Sequence, residues 1–255
     1  MTELVRYEVS GDVATITLDS PHNRNALSAQ LVGELSARLA EAGADRAARA
    51  VVLTHTGRVF CAGADLKAAG TGPVDGTGTA IMALLQAITE LPKPVIARIA
   101  GHVRAGGMGI VGACDLAVAT EGASFAFTEA RIGVAPAMIS LTTLDIMDPR
   151  QAARYYLTGE TFGPEAAAQL GLVTVAAPDG ELDTVVDGLV AQIRETSPHG
   201  SAETKKLLTA GRRERLATRG NEMAALSARL FASDEAQEGI HAFLERREPA
   251  WRSRL

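Results

Sequence analysis

Apolar and polar residues alternate over Leu4–Val9 and again over Val13–Leu18, with Ser10-Gly11-Asp12 between them. A period of two on both sides of a glycine-bearing turn predicts a β-hairpin. The period then lengthens. Ser28 precedes a stretch that sets Leu31, Leu35 and Leu39 on one face, which predicts a helix from a Ser28 cap to about Gly43. Ala50–His55 reads as a short buried strand, Ile81–Glu90 as an amphipathic helix and Pro94–Ala100 as a strand. Further strands are predicted at Cys114–Ala119, Ser124–Phe127 and Leu172–Ala176, with a helix around Arg150–Leu157. These units share an order of elements but no fixed period, which argues against a regular solenoid.

After Pro178 the pattern is helical throughout: Leu182–Arg194, Glu203–Thr209, Asn221–Phe231 and Asp234–Arg246, the last with Ser233 as cap followed by acids. Met223, Leu226 and Leu230 form one apolar stripe, and Ile240, Phe243 and Leu244 another. Such stripes cover either the chain's own core or a neighbouring subunit. The expected organisation is an α/β core over residues 1–195 and a helical region over residues 196–255.

Composition narrows the class. The 255 residues are 47% apolar but only 4% aromatic, so small aliphatic side chains must build most of a sizeable core. The net charge of −5 gives no reason to expect nucleic acid as a partner. No apolar run reaches membrane-spanning length, and the N-terminal residues lack signal-peptide character. Two cysteines, Cys61 and Cys114, are too few for a disulfide framework or a thiolate metal site. A cytoplasmic protein is expected.

Two glycine-bearing turns carry the candidate chemistry. In Phe60-Cys61-Ala62-Gly63-Ala64-Asp65-Leu66, the segment alone reads as a strand-to-helix turn capped by Asp65. Gly101 to Gly109, alone, reads as close packing of a helix against a strand. Together, each offers a backbone amide, and two amides aimed at one oxygen form an oxyanion hole. Gly107 to Gly112 also spells GxGxxG. The dinucleotide fingerprint needs those glycines directly after a strand, with an acid about twenty residues on. Seven residues (Ala100–Gly106) intervene here and Asp115 comes too soon, so that reading is set aside. Glu129 sits in apolar company after Phe125-Ala126-Phe127. Burial there would raise its pKa towards neutrality and suit it to proton transfer, whereas a strand pairing with Arg131 would make it a structural bridge. His22, His55, His102, His199 and His241 show no metal-ligand spacing. Cys61 reads as buried filler.

The pairing of VFCAGADL with KPVIARIAGHVRAGGMGIVGACDLAVA resembles the enoyl-CoA hydratase/isomerase (crotonase) superfamily. NRNAL at Asn23–Leu27, TEARIGVAP at Thr128–Pro136, AARYYLTGETF at Ala152–Phe162 and the tail EGIHAFLERREPAW are similar to it too. The resemblance spans nearly the whole chain. It implies a spiral of ββα units with a helical C-terminal region that builds homotrimers, often paired into hexamers. It further implies an acyl-CoA substrate, with coenzyme A part of that substrate and no separate cofactor or metal. The oxyanion hole falls on the N–H groups of Ala64 and Gly106, and the proton-transferring acid on Glu129. Arg24, Ala62, Asp65, Leu66, Lys67 and Phe243 fall at CoA-binding positions, Arg24 and Lys67 as cations for phosphates. The stretch Ala68–Thr79, expected to be mobile, would border the acyl pocket.

In well-known hydratases of that superfamily a second glutamate activates water, and its position is held here by Gly109. One glutamate suffices to move a double bond, which fits a Δ3,Δ2-enoyl-CoA isomerase. GGMGIVGACD followed by TEARIGVAPAMIS is similar to a branch of bacterial hydratases that also carries glycine at that point. A hydratase with a single catalytic glutamate is therefore expected. The alternatives are the isomerase and a catalytically silent acyl-CoA-binding relative. Ala135, Pro136, Ala137 and Met138 supply no further acid, and Asp145 and Asp148 read as helix-end or surface acids.

Overall fold

The computed structural model describes residues 2–66 and 77–252. Lys67 and the following residues to position 76, most of the stretch expected to be mobile, lie outside the described residues.

The hairpin forms as predicted: β1 (Val5–Ser10) and β2 (Val13–Leu18) pair antiparallel, Val5 opposite Leu18 and Ser10 opposite Val13. Helix α1 (Ala29–Ala44) starts where the Ser28 side chain accepts from Leu31 N–H, and it buries Leu31, Leu35 and Leu39. Strand β3 (Ala50–His55) then lies parallel to β2. With β5 (Val95–Ile99), β7 (Leu116–Thr120) and β9 (Val175–Ala177) it completes a six-stranded sheet, ordered β1-β2-β3-β5-β7-β9.

Both faces of the parallel part are covered, which explains why β3 is buried at all six positions. Val52, Ile96 and Val118 point to α7 (Leu182–Arg194) and meet Leu182, Val186 and Val190. Val51, Leu53, Val95 and Ala97 point the other way, into the main core with α1 and α2 (Thr77–Glu90).

Of a second, smaller sheet the hydrophobic pattern showed only the strand at Ser124–Phe127. Strands β4 (Val59–Cys61), β6 (His102–Arg104) and β8 (Phe125–Ala126) are two or three residues each, all parallel, in the order β4-β6-β8. Each follows a strand of the large sheet and precedes a helical turn: β3-β4 then α2, β5-β6 then α3 (Gly106–Ala113), and β7-β8 then a 3-10 turn at Glu129–Ile132. That repetition is the spiral of ββα units.

The remaining helices are α4 (Ser140–Thr143), α5 (Pro149–Thr158), α6 (Pro164–Gln169), α8 (Pro198–Phe231) and α9 (Asp234–Glu245). Two of the predicted helices, Glu203–Thr209 and Asn221–Phe231, are one continuous 34-residue helix, α8, capped by Ser197. Its buried stripe is Lys205, Thr209, Arg212, Leu216, Gly220, Met223 and Ser227. More than half of that stripe is polar, so a search for apolar periodicity breaks it. Thr209 donates to Lys205 O at 2.7 Å, and Arg212 meets Asp145 at 3.3 Å. Asp148 caps α5 by accepting from Arg150 and Gln151 N–H. Among the described residues no helix is long and apolar enough to cross a membrane.

Lys205 fastens α8 to the large sheet. Its Nζ lies 2.7 Å from Asp115 Oδ2 and 3.0 Å from the carbonyls of both Ile88 and Lys93, and the side chain is 5% exposed. Asp115 also accepts from Val95 N–H at 2.7 Å. Removing one member of such a buried pair strands the other charge. We expect Lys205→Met to lose about 3–5 kcal/mol of stability in urea unfolding. A loss below about 1 kcal/mol would show that water already reaches the pair.

Candidate active site

Three loops leave the same edge of the small sheet, because its strands are parallel and end together. After β4 comes Gly63-Ala64, after β6 comes Ala105-Gly106, and after β8 comes Glu129. Carboxyl ends of neighbouring parallel strands are where open α/β sheets gather ligand-binding groups.

The first two loops touch. A Cβ added to Gly63 would lie 2.6 Å from Ala105 Cβ and 3.1 Å from Gly106 N, so only glycine fits, and Gly63 also takes φ +87°. A Cβ on Gly106 would strike Leu27 Cδ1 at 2.7 Å and lie 3.9 Å from Ala64 N. The two amides predicted to converge are therefore neighbours. Gly106 opens α3, where the first N–H groups have no intrahelical acceptor. Among the described residues neither Ala64 nor Gly106 N–H donates to a protein acceptor.

Ala105 turns the chain into that helix with φ +46° and ψ −119°, a conformation costing about 1–3 kcal/mol for a residue with a Cβ. Its N–H donates to Ala126 O at 3.2 Å, which ties the strained turn to β8.

The NRNAL segment supports the same place. Leu27 N–H donates to Gly63 O at 2.8 Å, and Ala62 N–H donates to Arg24 O at 3.1 Å. Asn25 is fully buried at φ +52°; its Oδ1 accepts from Ser20 N–H, and its Nδ2 donates to Thr56 and Val59 carbonyls. Asn25 thus latches the loop, and Arg24 stands exposed beside Ala62. Asp65 and Leu66 follow Ala64 and are half-buried. Neither Asn25 nor Leu27 was singled out from the sequence. A buried asparagine that follows Asn23 and Arg24 gives no hydrophobic signal.

Glu129 differs from its expected setting. Strand β8 stops at Ala126, and Glu129 begins a 3-10 turn, so no strand alternation relates it to Arg131. Arg131 Nε donates instead to Thr158 O at 3.0 Å. Glu129 is 8% exposed, and among the described residues its Oε2 has no hydrogen-bond partner. Burial pushes its pKa up to about 7.

Half of the chain's ten Phe, Tyr and Trp residues dry this region. Phe125 stacks on Phe162 at 5.7 Å, Tyr155 meets Phe162 at 4.0 Å, and Phe127 meets Tyr156 at 4.2 Å. The Tyr156 hydroxyl bonds Thr143 Oγ1. Burial, then the Glu129 charge, hold the Tyr156 phenol above its ordinary pKa. Behind the turn, Gly133 and Gly239 let it lie directly on α9: a Cβ on Gly239 would meet Ile132 O at 2.6 Å.

Gly109 is closed off. A Cβ there would lie 2.5 Å from Ile139 Cγ2, so Ile139 occupies the side on which an acid would project. The neighbouring glycines of GxGxxG are packing sites too: a Cβ on Gly107 would meet Cys61, and one on Gly112 would meet Thr142 O at 2.7 Å. Burial raises both Cys61 and Cys114 to about 12, which makes them inert thiols. Among the described residues no cluster of His, Cys, Asp and Glu could hold a metal ion. Phe243, a core aromatic if it is not a ligand contact, is instead 55% exposed in this chain, and Leu244 is exposed beside it.

Known proteins resemble this chain along its length. The family model described as enoyl-CoA hydratase/isomerase matches residues 8–254. A Rhodobacter capsulatus protein named probable enoyl-CoA hydratase is 35% identical over 98% of both chains. An enoyl-CoA hydratase from Mycobacterium avium superposes with a TM-score of 0.91 at 53% identity, covering 98% of this chain and 100% of that one. A carnitinyl-CoA hydratase from Mycobacterium avium superposes with a TM-score of 0.86 at 29% identity, over 99% and 100%. A family match over residues 8–254, on a ββα spiral shared with these proteins, identifies this chain as an enzyme of the enoyl-CoA hydratase/isomerase family.

Proposed function

We propose that the enzyme adds water across the double bond of a 2-enoyl-CoA thioester, with Glu129 as its only proton carrier. The observation that carries this reading is the buried Glu129 carboxyl with an unpartnered oxygen, on the strand edge that also bears the Ala64 and Gly106 amides.

The steps balance on these groups alone. Water oxygen bonds the β-carbon while a water proton passes to the Glu129 carboxylate. The π electrons move onto the thioester oxygen, which accepts from Ala64 and Gly106 N–H. Glu129 then hands its proton to the α-carbon and returns to carboxylate. Each oxyanion donor contributes about 3–4 kcal/mol where the charge develops. Arg24, Lys67, Ala62, Asp65, Leu66 and Phe243 would contact the CoA moiety. The exposed Leu207, Leu208, Phe243 and Leu244 on α8 and α9 support a homotrimer or a dimer of trimers, and a monomer in sedimentation equilibrium would remove that assembly.

A second reading is favoured by one feature, the missing carboxylate at Gly109. A Δ3,Δ2-enoyl-CoA isomerase needs no water: Glu129 would take the α-proton of a 3-enoyl-CoA and return it to the γ-carbon. Mass spectrometry separates the two, since the hydratase product gains one water and the isomerase product gains nothing. Retained CoA affinity with neither product would indicate a binding protein.

Glu129→Gln should keep the fold and CoA affinity while lowering turnover at least about 100-fold. Unchanged turnover would remove Glu129 from the chemistry. Because the carboxylate form starts the reaction, kcat/KM of the wild type should fall as pH drops through about 7; a profile flat from about pH 8 to 5 would contradict it.

Stability carries the opposite sign. The folded chain keeps the Glu129 proton up to about pH 7 and the unfolded chain only to about 4.5, so the contribution is complete below the lower value and lost as pH rises through the upper. Wild-type stability in urea, measured relative to Glu129→Gln, should therefore decline by roughly 2–3 kcal/mol between about pH 5 and 8. A constant difference would mean that the carboxyl is solvated.

A further inference from the structure

Hydration needs a water held by both its protons, so that an oxygen lone pair faces the β-carbon. Glu129 can accept one proton, and Gly109 offers nothing for the other.

Tyr156 supplies an acceptor with a fixed direction. Its ring packs on Phe127, two residues before Glu129, and its hydroxyl bonds Thr143 Oγ1. Thr143 Oγ1 also lies 2.8 Å from Ile139 O. A carbonyl can only accept, so the single Thr143 hydroxyl proton goes to Ile139. Tyr156 must then be the donor to Thr143. With its one proton committed, the phenol oxygen keeps only lone pairs for a further partner. Ile139 is the residue that closes the Gly109 side. A chain of contacts thus runs from Gly109 through Ile139 and Thr143 to Tyr156, whose phenol feels the Glu129 charge.

We propose, resting on hydration as the reaction, that Tyr156 is the second holder of the reacting water: its phenol oxygen accepts one water proton while Glu129 accepts the other. The proton facing Glu129 transfers as the carbon–oxygen bond forms. The proton facing Tyr156 stays on the new β-hydroxyl and continues to donate to the phenol. No proton moves onto Tyr156, so Glu129 remains the only carrier. Thr143 acts through Tyr156 and is a positioning residue.

The test compares two reactions of the same site. Hydration of a 2-enoyl-CoA needs the water, whereas exchange of the α-proton of a saturated acyl-CoA with D2O needs only Glu129 and the oxyanion amides. Tyr156→Phe should lower kcat/KM for hydration about 10- to 100-fold, mainly in kcat, the scale of a misdirected reactant. Exchange should stay within about twofold of wild type. Thr143→Val should share the hydration defect, and Thr143→Ser, which keeps the hydroxyl, should restore it. Thermal melts identify any variant that fails to fold, and the phenylalanine variant preserves the ring packing.

Hydration by Tyr156→Phe at the wild-type rate would overturn the inference, as would proportional loss of hydration and exchange. Either result leaves the Glu129 reading intact. Wild-type enzyme that exchanges but does not hydrate would overturn the hydration reading and this inference together. Exchange untouched in Glu129→Gln would overturn the role of Glu129 itself.

Discussion

The site depends on one steric constraint, the contact between Gly63 and the Ala105-Gly106 turn. Two loops from different layers of the spiral meet there with no room for a side chain, since an added Cβ on Gly63 would sit 2.6 Å from its neighbour. Closeness of this kind lets two main-chain N–H groups act on one oxygen, because amides cannot reach past intervening side chains. The strained φ of Ala105 is the cost of aiming the second amide, and it is held by the bond to Ala126 and by the buried start of α3. Donors stabilise an oxyanion best when they are fixed before charge develops, and this contact fixes both amides.

The same spiral creates the opposite requirement at Glu129. Its carboxyl must be dry enough to hold a proton near neutral pH yet keep one oxygen open. Aromatic residues of β8, α5 and the segment after α5 exclude water on one side, and α9 closes the back of the turn through Gly133 and Gly239. The C-terminal region is therefore structural to the site even where it contributes no reacting atom. Lys205 and its partners extend that linkage by fixing α8 to the edges of β5 and β7.

Elements whose burial follows a simple period were legible in the sequence. The hairpin, α1 with its Ser28 cap, β3 and α7 fall where alternation or a leucine stripe predicted them. Strands β4 and β6 were not, because three residues cannot display a period. Helix α8 was split in two because Lys205, Thr209 and Arg212 are buried by pairing, which hydrophobicity does not register. Glu129 stood out as a lone acid in apolar company, whereas Ala64 and Gly106 could be named only through resemblance. The conformations that matter, a positive φ at Ala105 and a 3-10 start at Glu129, leave no mark in residue type. Thr143 and Tyr156 lie thirteen positions apart on separate helices, and only the fold pairs them.

Gly109 shows why the loss of a second acid is not a single-site event. Helix α3 is buried on every side, and its glycines mark contacts with Cys61, Ile139 and Thr142. A glutamate at 109 would have to displace Ile139, whose carbonyl accepts from Thr143 and so sets the direction of the Tyr156 hydroxyl. Packing and polarity on this side of the pocket are consequently one arrangement. The residue that fills the space beside Gly109 also anchors the hydroxyl chain that ends at Tyr156. Placing a carboxylate at 109 alone would therefore disturb that chain while adding an acid, because both need the space that Ile139 fills.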